Sequence, residues 1–348
     1  MSLKHKLKLA AREGYARVLF HSGLHALLDR IMPRRLVILA GHCVSAPSNA
    51  SLPKDMKIAQ GDLELILSWF AARYEVVTVG AGVRKLSERG RRSLFALSMD
   101  DGYRDNRTHL LPLLQRLKLG ATIYLESRPL DERRLTWTHK FFWTLDRIGA
   151  ERFVAEYLAC AEDAHTRTEL GLQRATYHLK RVLKYQAPVT ERTRIVDELF
   201  ALHGGDERAL CEELYLDWDD VRELARCGVE LGGHTLTHEI LARLDRDGAQ
   251  AEIAGSKRAL EAGLGTPIES FAYPFGRRWD YDHNSVDAAR AAGFASATNT
   301  HAGTNNPHSD RYQLRRVMID ADAQLHLLVA EACGGFDLLR KLGLELGE

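Results

Sequence analysis

One stretch constrains this chain more than any other. It is Leu94 to Asn106, LFALSMDDGYRDN, where an apolar run stops at two adjacent carboxylates, Asp100 and Asp101, followed by Gly102. An apolar run of this length bounded by turn residues predicts a buried strand. Gly102 permits a sharp turn that a side chain would obstruct. Two carboxylates then stand at the carboxyl end of a buried parallel strand, where α/β folds place their chemistry. A plain Asp-Gly turn, with Asp101 capping the next helix, would use the same residues. The stretch alone leaves both open.

The surrounding pattern favours α/β. Strands are predicted at Leu36–Ala40, Glu75–Val79, Leu94–Met99 and Ala121–Glu126, with helices at Leu63–Tyr74 and from Arg107 to Leu119. The alternation resumes at Trp218 with a helix to Cys227, capped by Asp217. Strand candidates follow at Val229–Gly233, Ser270–Tyr273, Phe294–Thr298 and Leu314–Ile319, separated by helices at Asp247–Ala262 and Val286–Ala292. Seven or eight such units imply a parallel sheet or barrel. The block from about 131 to 213 is helix-rich, charged and without good strands, so a helical insertion laid over the active face is expected. Its cluster Trp137, Phe141, Phe142 and Trp143 suits a docking core better than a sugar platform. The expected division is an amphipathic helix over 1–35, a barrel from 36–130 and 214–325, the insertion over 131–213, and a C-terminal helix over 326–348.

Composition narrows the partners. A net charge of +1 over 348 residues argues against nucleic acid, which leaves a basic excess. Five cysteines without close pairing suit reduced thiols. No glycine-rich phosphate loop implies a nucleotide cofactor, and no run reaches membrane-span length. Glu13, Arg17 and His21 interrupt the first segment, so no signal peptide is expected and a cytoplasmic location follows. Residues 3–32 alternate basic and apolar side chains, which allows peripheral membrane contact.

The second chemical feature is GGHTLTHEIL. His234 follows a strand and His238 comes four residues later, so a helical turn would bring both imidazoles to one ion. Two nitrogens and one carboxylate oxygen make a facial site suited to zinc, with iron, cobalt or nickel also able to occupy it. The D-D-G after an apolar strand, the H-T-x-x-H of His234, Thr235 and His238, and FAYPFG (Phe271 to Gly276) together resemble the polysaccharide deacetylases, carbohydrate esterase family four, with the NodB-homology fold. The resemblance covers about 36–130 and 214–320. It implies a distorted (β/α)7 barrel and removal of an acetyl or other short acyl group from an amino sugar in a glycan or precursor.

The resemblance further implies that Asp101, His234 and His238 hold one divalent metal, zinc before cobalt, nickel or iron. Asp100 would then be the general base, and the backbone N–H of Phe275 an oxyanion donor. There are departures. The family's arginine before the proline-aromatic turn is Ala272 here, and its late L-x-H motif, which supplies the general acid, has no clean counterpart, since Gln324-Leu325-His326 is out of register. Its late aspartate pair with tryptophan is not evident after Phe294. His42, ending the first strand, is the candidate acid, ahead of His301 and His308. Two alternatives remain: a catalytically impaired relative that binds a glycan or partner through the insertion, and a barrel hydrolase acting on non-sugar C–N bonds.

Overall fold

Eight strands build the core of this protein, described here from a computed structural model for residues 3–88, 90, 92–172 and 176–343. They are β1 (Leu36–Gly41), β2 (Glu75–Val76), β3 (Leu94–Met99), β4 (Thr122–Leu125), β5 (Glu230–Gly233), β6 (Ser270–Ala272), β7 (Ser296–Thr298) and β8 (Val317–Met318). All pair in parallel, in the spatial order β8-β1-β3-β4-β5-β6-β7, with β2 also paired to β3. Ala297 in β7 and Leu314, just before β8, are joined by a backbone hydrogen bond of 3.0 Å. The sheet therefore curls round towards closure, giving the distorted seven-stranded (β/α) barrel expected from the sequence.

Every residue of β1 and β3 is buried, because helices cover one face and the barrel interior fills the other. Phe95 stacks on Phe70 of the helix Gln60–Ala71, with ring centroids 4.5 Å apart. In β5 there is no room for a side chain at Gly232, where a Cβ would lie 2.5 Å from the Tyr124 ring and 2.9 Å from the Ser270 carbonyl.

Six helices, from Trp137–Ile148 to Glu207–Leu214, interrupt the barrel. They enclose a core of their own that includes Trp137, Phe141, Phe153 and Tyr157. Trp143 instead packs on Phe200, and Phe142 turns towards the main cavity.

Local departures have physical causes. The single N-terminal helix expected over Leu3–Met32 is two, Leu3–His21 and Leu24–Ile31, broken where Gly23 adopts φ 75°. Met1 and Ser2 lie outside the described residues. The strand from Glu75 stops at Val76, because Thr78 caps a helix beginning at Val79. The helix after β3 opens as a π turn over Asn106–Leu110. Pro112 lacks the N–H that would bond the Thr108 carbonyl. The C-terminal segment is two helices, Leu325–Ala332 and Gly335–Lys341, with 344–348 outside the described residues. No helix among the described residues is long and apolar enough to cross a membrane.

Candidate active site

The turn after β3 organises the site. Asp101 adopts φ 74° and Gly102 φ 78°, which throws both carboxyls over the top of the barrel. The same stretch anchors its surroundings. Asn106 donates to the His42 carbonyl at 3.1 Å, and Asp105 accepts from the Val44 N–H at 2.6 Å and from Asn49 at 3.0 Å. Tyr103 stacks on Tyr215, and both hydroxyls hydrogen-bond to His139 of the insertion, at 2.6 and 2.9 Å. Burial pulls His139 down to about 4, so the imidazole is neutral between the two tyrosines.

Asp101, His234 and His238 come together. Asp101 Oδ1 lies 3.2 Å from His234 Nε2 and 3.4 Å from His238 Nε2, with all three residues buried. A tetrahedral ion with bonds of about 2.1 Å would set its ligands about 3.4 Å apart. The donor set therefore fits a small divalent cation. The tautomer fits as well: His234 Nδ1 lies 2.8 Å from the Ala272 carbonyl, so that nitrogen carries the proton and Nε2 keeps its lone pair. Desolvation pulls His238 down to about 3, leaving it neutral as a ligand must be. Burial would raise Asp101, but the two imidazoles facing it, His234 first, hold it well below the carboxylate range.

The histidines do not meet through a helical turn, contrary to the sequence expectation. Residues 234–240 form a loop in which Thr235 has φ 68° and His238 φ 59°. The Thr235 hydroxyl accepts the His238 N–H at 3.0 Å and fixes that loop. Six non-glycine residues among those described have positive φ, and four of them, Asp101, Thr235, His238 and Phe275, stand around this site. The left-handed region costs about 1–2 kcal/mol for such residues, and strain of this kind persists where the surroundings enforce a functional geometry.

Asp100 is held by a residue the motifs did not reveal. Arg316, wholly buried one residue before β8, donates through Nη1 to Asp100 Oδ1 at 2.6 Å and through Nη2 to Oδ2 at 2.8 Å. Its Nε donates to the Asn299 carbonyl at 2.9 Å. Burial would raise Asp100, yet the guanidinium outweighs it and the carboxyl stays ionised below its ordinary range. A guanidinium thus enters the site from the last strand, although Ala272 occupies the position before the proline turn.

These groups open into a cavity of about 820 Å³. His42 lines it from the end of β1, with Nδ1 buried and no hydrogen-bond partner. Asp320, also unforeseen, shares the wall, and burial raises its pKa. Phe275 has φ 60° and packs edge-on against His238, with centroids 4.6 Å apart. The remaining histidines considered from the sequence lie elsewhere. His308 is exposed, His301 packs 6.1 Å from the Tyr281 ring, and His326 pairs with Glu13 at 2.8 Å beside the N-terminal helix. The insertion roofs the cavity with Lys180, Lys184 and Tyr185. At the rim Trp279, 47% exposed, donates to the Tyr185 hydroxyl at 2.8 Å.

The sequence profile of the polysaccharide deacetylases matches residues 87–297, more than half of the chain. The chain belongs to the polysaccharide deacetylase family. Among curated relatives it is similar to the putative polysaccharide deacetylase YxkH of Bacillus subtilis (strain 168), 27% identical over 105 residues. That alignment spans 30% of this chain and 37% of the relative's length. Two solved structures share the fold. The Streptococcus pyogenes deacetylase PplD in complex with acetate has 15% identity, covers 86% of this chain and 99% of that one, and gives a TM-score of 0.55. IcaB from Ammonifex degensii has 16% identity, covers 86% and 97%, and gives the same TM-score. The helices from Trp137–Ile148 to Glu207–Leu214 lie inside the matched region.

Proposed function

We propose that this family member is a metal-dependent hydrolase that removes an N-acetyl, or other short acyl, group from an amino sugar in a glycan or glycan precursor. The observation that carries the reading is the ligand-like spacing of Asp101, His234 and His238 beside a carboxylate kept ionised by Arg316. A divalent cation held there, zinc or alternatively cobalt, nickel or iron, would polarise the acyl carbonyl and make a water acidic near neutral pH. Asp100 takes the proton of the attacking water. The Phe275 N–H donates to the oxygen that becomes negative; Pro274, lacking an N–H, leaves Phe275 the first donor of that turn. His42, sharing its wall with Asp320, returns a proton to the leaving nitrogen. The Trp279 face at the rim offers a stacking surface for a sugar ring.

The test is metal analysis coupled to acetate release. The metal-loaded chain is expected to release acetate from N-acetylated saccharides but not from amide or imide controls lacking a sugar. Asp100→Asn is expected to keep the metal and lose about 10²–10⁴-fold in kcat, while Asp101→Ala and His234→Ala lose the metal. Saccharide binding without acetate release by the loaded protein would favour the impaired, binding-only alternative. Full turnover by Asp100→Asn would remove it as the base.

Peripheral membrane contact through residues 3–32 accompanies this reading. Val18, Leu27 and Ile31 are 62%, 52% and 66% exposed on the two N-terminal helices, and Lys6 and Lys8 are exposed on the first. Arg35, ahead of β1, bonds Asp29 of the second helix, so that helix lies by the end of the barrel opposite the cavity.

A further inference from the structure

The helix Thr176–Tyr185 has two faces. Leu179, Val182 and Leu183 are buried in the insertion's core, while Lys180, Arg181 and Lys184 line the cavity above Asp101. Lysines four apart on one helix repel each other, so packing alone gives no reason to keep both. Lys184 has compensation: Nζ lies 3.3 Å from Asp280 Oδ1 and 3.4 Å from the centre of the Phe275 ring. Lys180 has much less. Its Nζ stands 4.8 Å from the centre of the Phe142 ring, and no carboxylate among the described residues forms an ion pair with it. Enclosure lowers its pKa, and Asp55, Asp101 and Asp280 act on it only from beyond ion-pair reach. Arg181 and Arg277 bring two more guanidinium groups to the cavity wall, again without ion pairs among the described residues. The acids of this cavity are otherwise engaged or distant. Asp100 is bonded to Arg316 and Asp101 faces the two histidines, while Asp55 and Asp320 form no ion pair with these cations. A desolvated cation without a counter-ion costs free energy; that holds for the enclosed Lys180, while Arg181 and Arg277, exposed to solvent, add two guanidinium groups to the same wall.

We propose that the amino sugar taken into this cavity carries an anionic group, a phosphate or a carboxylate, which Lys180, Arg181 and Arg277 hold while the acylated nitrogen lies over Asp101, His234 and His238. The proposal rests on the deacetylation reading and names its substrate class. Charge-assisted hydrogen bonds suit both kinds of anion. The roof thereby selects a charged precursor, or a uronic-acid-containing glycan, over a neutral polymer.

Two matched pairs of probes test this on the full, metal-loaded chain. One pair is N-acetylglucosamine 1-phosphate and the methyl glycoside of N-acetylglucosamine. The other is a disaccharide of N-acetylglucosamine with glucuronate and the same disaccharide with glucose. At low salt the anionic member of at least one pair should have kcat/KM about tenfold or more above its neutral partner. The gap should shrink as salt rises towards about 0.5 M, and the pair that shows it tells phosphate from carboxylate. Lys180→Met combined with Arg277→Met should bring the ratio towards one, whereas Lys180→Arg should preserve it. Equal kcat/KM within both pairs, or a ratio unchanged in the double variant, overturns the proposal even if acetate is released. If no saccharide yields acetate, calorimetric titration of the same pairs decides. A preference for the anion then sinks only the deacetylation reading, and its absence sinks the anion site too.

Discussion

Arg316 sets the terms on which Asp100 can act. Both carboxylate oxygens are tied to the guanidinium, which keeps Asp100 ionised below its ordinary range, so in the role proposed for it Asp100 would accept a proton as a weak, well-placed base. Its lowered pKa gives stability that is fully present above the unfolded value near 3.8 and is lost as pH falls through the native one. Arg316→Met should cost about 3–5 kcal/mol in urea unfolding, because it strands a buried charge. In whatever folded enzyme remains, the acid limb of the kcat/KM profile should move to higher pH. An unmoved limb would mean that Asp100 is not the titrating base. Asp100, Asp101 and His234 were legible in the sequence because they follow strand candidates, and His238 because it comes four residues after His234. Arg316 was not, because Arg315 and Arg316 stand together in LRRVMI. Alternation says only that one of them faces inward, and the register Leu39↔Val317 is needed to say which.

At the scale of elements, the loop between β1 and the Gln60–Ala71 helix hangs on Asp105, whose carboxyl holds Val44 and Asn49. Burial pushes Asp105 up to about 6. The native state therefore binds this proton more tightly than the unfolded chain between about pH 4 and pH 6, and stability falls as pH rises through that window. The difference in unfolding free energy between the native chain and Asp105→Asn should change by about 2–3 kcal/mol from pH 4 to pH 6.5. A constant difference would show that Asp105 titrates normally. Strand and helix positions followed from apolar runs and caps such as Asp217, but the cap at Thr78, which ends its strand at Val76, was not legible in a β-branched run. Nor was the loop carrying His234 and His238. Spacing of four suits a helix, and nothing local announces that Thr235 and His238 will be forced to positive φ by tertiary contacts. Gly23 shows the converse, a break that one glycine inside an amphipathic run could have signalled.

Across the whole molecule, the barrel carries the reaction at one end and has the second N-terminal helix at the other. If Val18, Leu27 and Ile31 touch lipid, the full chain should co-sediment with anionic vesicles, and Val18→Asp with Leu27→Asp should reduce that several-fold without changing acetate release. Equal sedimentation of the variant would rule the contact out. The barrel was foreseeable from its alternating units and the insertion from the gap between them. The contacts that join them were not, among them those of Tyr103, His139 and Tyr215, three residues scattered over more than a hundred positions. Lys184, a side chain of the roof, rests on Phe275, the residue whose amide is proposed to serve the reaction below. Transplanting this roof onto another barrel of the same kind would therefore move more than a preference for cargo. Unless the recipient offered a matching aromatic ring, the graft would also disturb the loop proposed to take part in bond cleavage, and selectivity and speed would then be inherited together or lost together.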